Sequence, residues 1–207
     1  MMFIDEYKGD KAVEAHGNTK LHVIHTIDKK QMAISLAHYK RHLSLQRHKI
    51  VDIDLEYDND PEVTQKPALY QLSIVKNHPM LLFQMSASER LGHVKLEVAN
   101  FVDIKKEWRV PEATKPLDSL GDVSGILIDD YYNNMKKKIT DDEHKRWAIL
   151  HLSMRHIEYA AKDAYAAYEI WNRITLTQDG LRHAKLEKEE APKKRARSSW
   201  GWDEPSW

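Results

Sequence analysis

The chain has 207 residues, of which 42% are hydrophobic and 31% charged, and it contains no cysteine. That apolar content suffices for one core, and no apolar run approaches the roughly 18 residues that a bilayer span requires. Absent cysteine excludes disulfides and thiolate metal sites. A balance of 32 basic against 32 acidic side chains excludes a bulk field as the means of holding a polyanion, leaving local patches or bound metal.

The amino terminus, Met1-Met2-Phe3-Ile4-Asp5-Glu6, lacks the basic-then-apolar order of a secretory signal. Residues 1–17 are weakly patterned, contain Gly9 and Gly17, and read as a loose lead-in. Lys20–Thr26 alternates and is branched, as a short strand should be. Asp28 is placed to cap a following helix with apolar positions at Met32, Ile34, Leu36, Ala37, Tyr39 and Leu43. His38 and His42 lie four apart on that helix, a spacing able to hold a metal, but no third ligand is near in sequence. They read as a solvated face.

Lys49–Tyr57 alternates in steps of two. Val51, Ile53 and Leu55 share the face expected to enter a core, while Asp52, Asp54 and Glu56 share the other. Three aligned carboxylates repel one another unless a cation joins them, and hard divalent ions suit carboxylate oxygens best. A solvated acidic edge strand is the alternative. Asp58-Asn59-Asp60-Pro61 is turn chemistry, and strands are expected at Ala68–Val75 and Met80–Met85, joined by Lys76-Asn77-His78-Pro79. Short connections make the three an antiparallel meander. Beyond it, Leu117–Asp130 carries helical spacing, and Lys136-Lys137-Lys138 with His144-Lys145-Arg146-Trp147 are basic.

Leu152–Ile174 is the strongest helix, with a stripe of Ile157, Ala160, Ala161, Ala164, Ala167, Tyr168, Trp171 and Ile174. Tyr159 and Asp163 sit four apart and project on one face. Taken alone, the pair is a surface Tyr and Asp. From 178 to 207 the pattern gives way to a polar tail with Pro192 and Pro205, expected to be disordered for lack of contiguous apolar surface.

A strand bearing Asp54-x-Glu56, two further strands, and a late helix bearing Tyr159-x-x-x-Asp163 resemble the tyrosine subtype of the DEDD 3′–5′ exonucleases. The branch most similar is that of the plant relatives of the Werner-syndrome exonuclease domain. The resembling blocks are Ile50–Tyr57, Pro67–Leu72, Leu81–Met85 and Leu152–Tyr165, spread over a domain at 18–177. The resemblance implies an α/β, ribonuclease H-like fold, a mixed sheet flanked by helices. It implies Asp54, Glu56 and Asp163 as ligands of Mg²⁺ or Mn²⁺ and Tyr159 as the group orienting water. The implied reaction is hydrolysis of single-stranded DNA or RNA from its 3′ end, in the nucleus, the cytoplasm or both.

The sequence departs from that family in the middle. Met85 runs through Ser86–Gly92 almost directly into Leu96–Ile104, so one strand, one helix and the third metal-binding Asp are expected to be missing. Glu89 and Asp103 are the carboxylates nearest the gap and the candidate substitutes. Asp52 stands where the family has a small residue. Three outcomes follow from the sequence: an exonuclease of weakened activity, a catalytically dead relative that binds nucleic acid or protein, or the product of a truncated gene. In the tail, Lys193-Lys194-Arg195-Ala196-Arg197 matches an import signal or a solvated charge run. Trp200 and Trp202 are similar to the Gly-Trp hooks that dock on Argonaute-type proteins, with nucleic-acid stacking or back-packing as alternatives.

Overall fold

The computed structural model describes residues 10–47, 49–57, 67–74, 78–85, 119–149 and 151–198. Its strands are β1 (Asp10–Glu14), β2 (Lys20–Thr26), β3 (Asp52–Tyr57), β4 (Pro67–Ser73) and β5 (Met80–Gln84). Its α-helices are α1 (Lys29–Ser44), α2 (Leu120–Leu127), α3 (Asp141–His144) and α4 (Met154–Ser198), with a 3-10 helix over Asp130–Lys138. The architecture is α/β around one mixed sheet of order β1-β2-β5-β4-β3.

The meander forms as its short connections require. β3 pairs antiparallel with β4 and β4 antiparallel with β5, setting Asp54 opposite Gln71 and Leu72 opposite Leu81. β2 and β5 are parallel, with Val23 opposite Met80. That geometry needs a crossover, and α1 lies within it in sequence. Asp28 caps α1 by accepting a 2.8 Å hydrogen bond from the Lys30 amide.

Each face of the sheet has its own apolar cluster. Ile24, Tyr39, Tyr70, Leu81 and Phe83 pack on the α1 side, with Leu55 and Leu72 at its border. Val13, Leu21, Val23, Leu69, Met80 and Leu82 pack on the other, against Ile157, Ala160, Ala161 and Ala164 of α4 and against Tyr132 and Trp147. Small side chains on α4 let that helix close on the sheet. Trp147 is completely buried there.

Several expectations are corrected. The lead-in is not loose throughout: Asp10–Glu14 pairs antiparallel with β2, and Val13 is 1% exposed. The turn between them closes through an Ala15 amide bond to the Thr19 carbonyl at 2.9 Å, with Gly17 at φ +56°, a backbone region glycine enters without steric cost. The helix expected over Leu117–Asp130 is shorter. α2 starts at a capping box, Ser119 with Asp122, and ends at Leu127, after which Asp129 caps the 3-10 helix.

The apolar side of β3 is not deep core either. Leu55 reaches the α1-side cluster only partly, Val51 is 36% exposed, and Glu56 on the acidic side is the one buried residue of the strand. The chain divides into compact units at 1–170 and 171–207, and α4 has residues in both. Where disorder was expected from 178, the chain is helical to Ser198. Leu181–Ser198 is rich in Ala, Leu, Glu, Lys and Arg, all strong helix formers, whose propensity the tail's polarity obscured. Among the described residues, no helix is long and apolar enough to cross a membrane.

If β1 is part of the core, Val13→Ala should cost about 1–3 kcal/mol. Thermal denaturation should then shift down by roughly 3–9 °C, with the exposed Val51→Ala as a neutral reference. An unchanged midpoint for Val13→Ala would mean that residues 10–14 contribute nothing to the fold.

Candidate metal centre

β3 supplies three carboxyls to the α4 side through strand alternation, and α4 supplies a tyrosine and a carboxyl through helical spacing. Asp54, Glu56 and Asp163 each present an oxygen such that all three lie within 4.8 Å of one another. Tyr159, one helical turn before Asp163, is 5% exposed. Burial first, and then the nearby charges of Asp163, Glu56 and Asp54, push its pKa above the usual value. It therefore keeps its proton and acts as a hydrogen-bond donor. The four residues expected from the sequence to form the site are thus brought together.

Electrostatics here are unfavourable in the absence of a cation. Burial raises the Asp54 pKa. Against that act a 2.8 Å hydrogen bond from the Leu55 amide and a hydrogen bond with Asp163. Carboxyls brought this close disfavour the simultaneous ionisation of both. Asp52 lies beside them. Burial first, then the charges of Asp54 and Asp163, drive its pKa well up, and its Oδ2 is buried with no hydrogen-bond donor.

Glu56 is held from β4. The Gln71 amide nitrogen donates to Glu56 Oε1 at 3.2 Å, and Gln71 is itself fully buried, with its own Oε1 unsatisfied. From the other side, His144 Nδ1 comes within 4.0 Å of Glu56 Oε2. That same Nδ1 accepts the Trp147 indole N–H at 3.2 Å.

An aromatic wall backs the site. The Tyr159 ring lies 5.3 Å from His144 and 6.0 Å from Trp147, and Trp147 packs edge-on to His156 at 5.0 Å. His156 joins Ser153 Oγ at 2.7 Å and the Glu143 carbonyl at 3.0 Å, linking the start of α4 to α3. A capping box between Thr140 and Glu143 fixes α3, and hence His144 at its end.

Sequence reasoning missed Gln71 and His144 as members of this site. A glutamine inside the otherwise apolar run of β4 was the available signal for the first. His144 had none, because its place depends on the fold of α3. The substitutes Glu89 and Asp103, and the tail residues Trp200 and Trp202, lie outside the described residues.

The donors fit a hard divalent cation: every candidate ligand atom is a carboxylate oxygen, and the Asp52 Oδ2 beside them is buried without a hydrogen-bond donor. The sign of the pH dependence follows. Asp52 and Asp54 have folded pKa values above the unfolded ones, so the native state binds more protons, and their contribution to stability falls as pH rises from about 4 toward neutrality. In chelator at pH 7, Asp52→Asn should raise stability by about 1–2 kcal/mol, roughly 3–6 °C. At pH 4 the gain should vanish, as both forms are then neutral. Melting curves across that range check it, and a variant less stable than wild type at pH 7 would contradict the reading.

No protein-family model, curated protein or solved structure matches the chain.

Proposed function

We propose that the chain is a ribonuclease H-like, DEDD-type 3′–5′ exonuclease that hydrolyses single-stranded nucleic acid slowly from its 3′ end. The observation that carries this reading is the convergence of Asp54, Glu56 and Asp163 within 4.8 Å of one another, with Tyr159 on the same helical face as Asp163. A set of hard oxygen donors beside a protonated phenol suits phosphodiester hydrolysis better than redox or acyl-transfer chemistry. The chain has no cysteine to serve as a nucleophile or redox group.

Asp54, Glu56 and Asp163 would hold Mg²⁺ or Mn²⁺. Such ions, when bound, make water a better nucleophile and stabilise negative charge on a departing oxygen. The chain's own groups do the remaining work. Tyr159 keeps its proton, so its hydroxyl orients water by hydrogen bonding and does not serve as the base. Gln71, on the neighbouring strand and the same face, donates to Glu56 Oε1 and so orients its carboxylate. Trp147 and Tyr159 exclude bulk water from one wall, strengthening the field of the carboxylates.

Slow turnover follows from the count of acids. Two closely spaced divalent ions need more anionic oxygen than three carboxylates supply with ease. The fourth on this face, Asp52, is electrostatically tied to Asp54 and Asp163 but stands outside the gathered set. That same shortfall favours a second reading, a nucleic-acid-binding relative without catalysis.

A 5′-labelled single-stranded oligonucleotide incubated with Mn²⁺ or Mg²⁺ separates the two. The first reading expects slow 3′-end shortening, reduced roughly 100-fold or more by Asp54→Ala and by Asp163→Ala. Tyr159→Phe should slow it about tenfold while leaving oligonucleotide binding intact. Binding without shortening in wild type and variants alike would support the second reading and refute the first.

A further inference from the structure

At the β1 edge of the sheet there is a cavity of about 510 Å³. Ala12 and Ala15 line it from β1 and the turn after it, Tyr131 from the 3-10 helix, and Glu158 and Lys162 from α4. β1 and β3 are opposite edges of the sheet, so this cavity is separate from the acidic cluster.

Lys162 singles the cavity out. The residue is only 6% exposed, and an ammonium taken from water calls for acceptors at hydrogen-bond distance. Among the described residues, its ion-pair partner is Glu158, one helical turn earlier, whose Oε2 stands 3.7 Å away, longer than a hydrogen bond. Its other neighbour is the Tyr131 ring, with the nitrogen 5.6 Å from the centroid, within cation–π reach. The N–H donors of Lys162 thus line the cavity with bonding capacity to spare.

We propose that this cavity binds a free aromatic amino acid in its zwitterionic form. Glu158 and Lys162 set opposite charges 3.7 Å apart on one face of α4, and an α-amino acid carries opposite charges on one carbon. Laid antiparallel, the ligand carboxylate accepts from Lys162 while its ammonium donates to Glu158. Net charge points to the same class. Glu14 and Lys20, opposite each other across β1 and β2, add one charge of each sign to the lining, which is therefore balanced. A dianionic phosphate would meet both acids and a dication both lysines, whereas a zwitterion avoids either repulsion. The Tyr131 ring and the two alanines offer surface to an aromatic side chain, and the volume is more than a small amino acid fills.

Calorimetric titration of the full chain with L-tryptophan and with L-phenylalanine tests this. At least one should bind, with one molecule per chain. L-Tryptophanamide, which lacks the carboxylate, and N-acetyl-L-tryptophan, which lacks the ammonium, should each bind about 10–100-fold more weakly than L-tryptophan. Adenosine monophosphate, an aromatic dianion, should give no heat. Lys162→Met, which keeps the length of the side chain and removes its charge, should weaken amino-acid binding by a similar factor. Glu158→Gln, at a half-exposed helical position, should do the same with the circular dichroism unchanged. No binding of either amino acid would overturn the proposal, as would equal affinity for the amide and the acetylated form. Unchanged affinity in Glu158→Gln would also overturn it, whatever the folding of Lys162→Met. None of these readouts involves the acidic cluster, so their failure leaves the nuclease reading untouched.

Discussion

The arrangement depends on mutual repulsion among carboxyls that the fold forces together. Asp52, Asp54 and Glu56 leave β3 on one face, and α4 closes over them with Asp163. Taken from water, each charge loses solvation, and their proximity adds Coulomb repulsion in a medium of lower dielectric. A protein needing only stability would replace them with apolar groups of similar volume. The surrounding structure instead holds the acids in place. Gln71 donates to Glu56, the Leu55 amide donates to Asp54, and the alanines of α4 permit close approach to the sheet. A divalent ion held among the carboxylate oxygens would offset that repulsion.

The rest of the α4 side supports that face. α3 is only four residues long, yet its capping box and the His156 bond to the Glu143 carbonyl keep it rigid. Rigidity there places Trp147 and His144 against Tyr159, and the indole N–H fixes which nitrogen of His144 is bare. These groups do not touch the acids as ligands would. They define the wall against which the phenol and carboxylates are oriented.

Much of this was legible in sequence because local periodicity and final burial agree. Lys20–Thr26 and the Asp28-capped helix form where alternation and capping place them, and the meander of β3, β4 and β5 follows from short connections. Asp54, Glu56, Tyr159 and Asp163 could be named because a period of two and a spacing of four each fix a face. What could not be read depends on partners distant in the chain. β1 is too short and polar to announce itself, and is a strand only through pairing with β2. The edge position of β3 and the parallel match of β2 with β5 are choices of topology that no local pattern encodes. The approach of His78 to His42 is of the same kind. The helical stretch beyond 178 is hard to read for a different reason: it has little apolar surface, yet it is built from strong helix formers.

The central claim is that the buried carboxyls exist to hold a hard divalent cation. The most direct measurement is a crystal of the full chain grown with Mn²⁺ and recorded at a wavelength where manganese scatters anomalously. The account predicts anomalous density bounded by Asp54, Glu56 and Asp163, with Asp52 turned toward it. An ordered site with no manganese peak would contradict it.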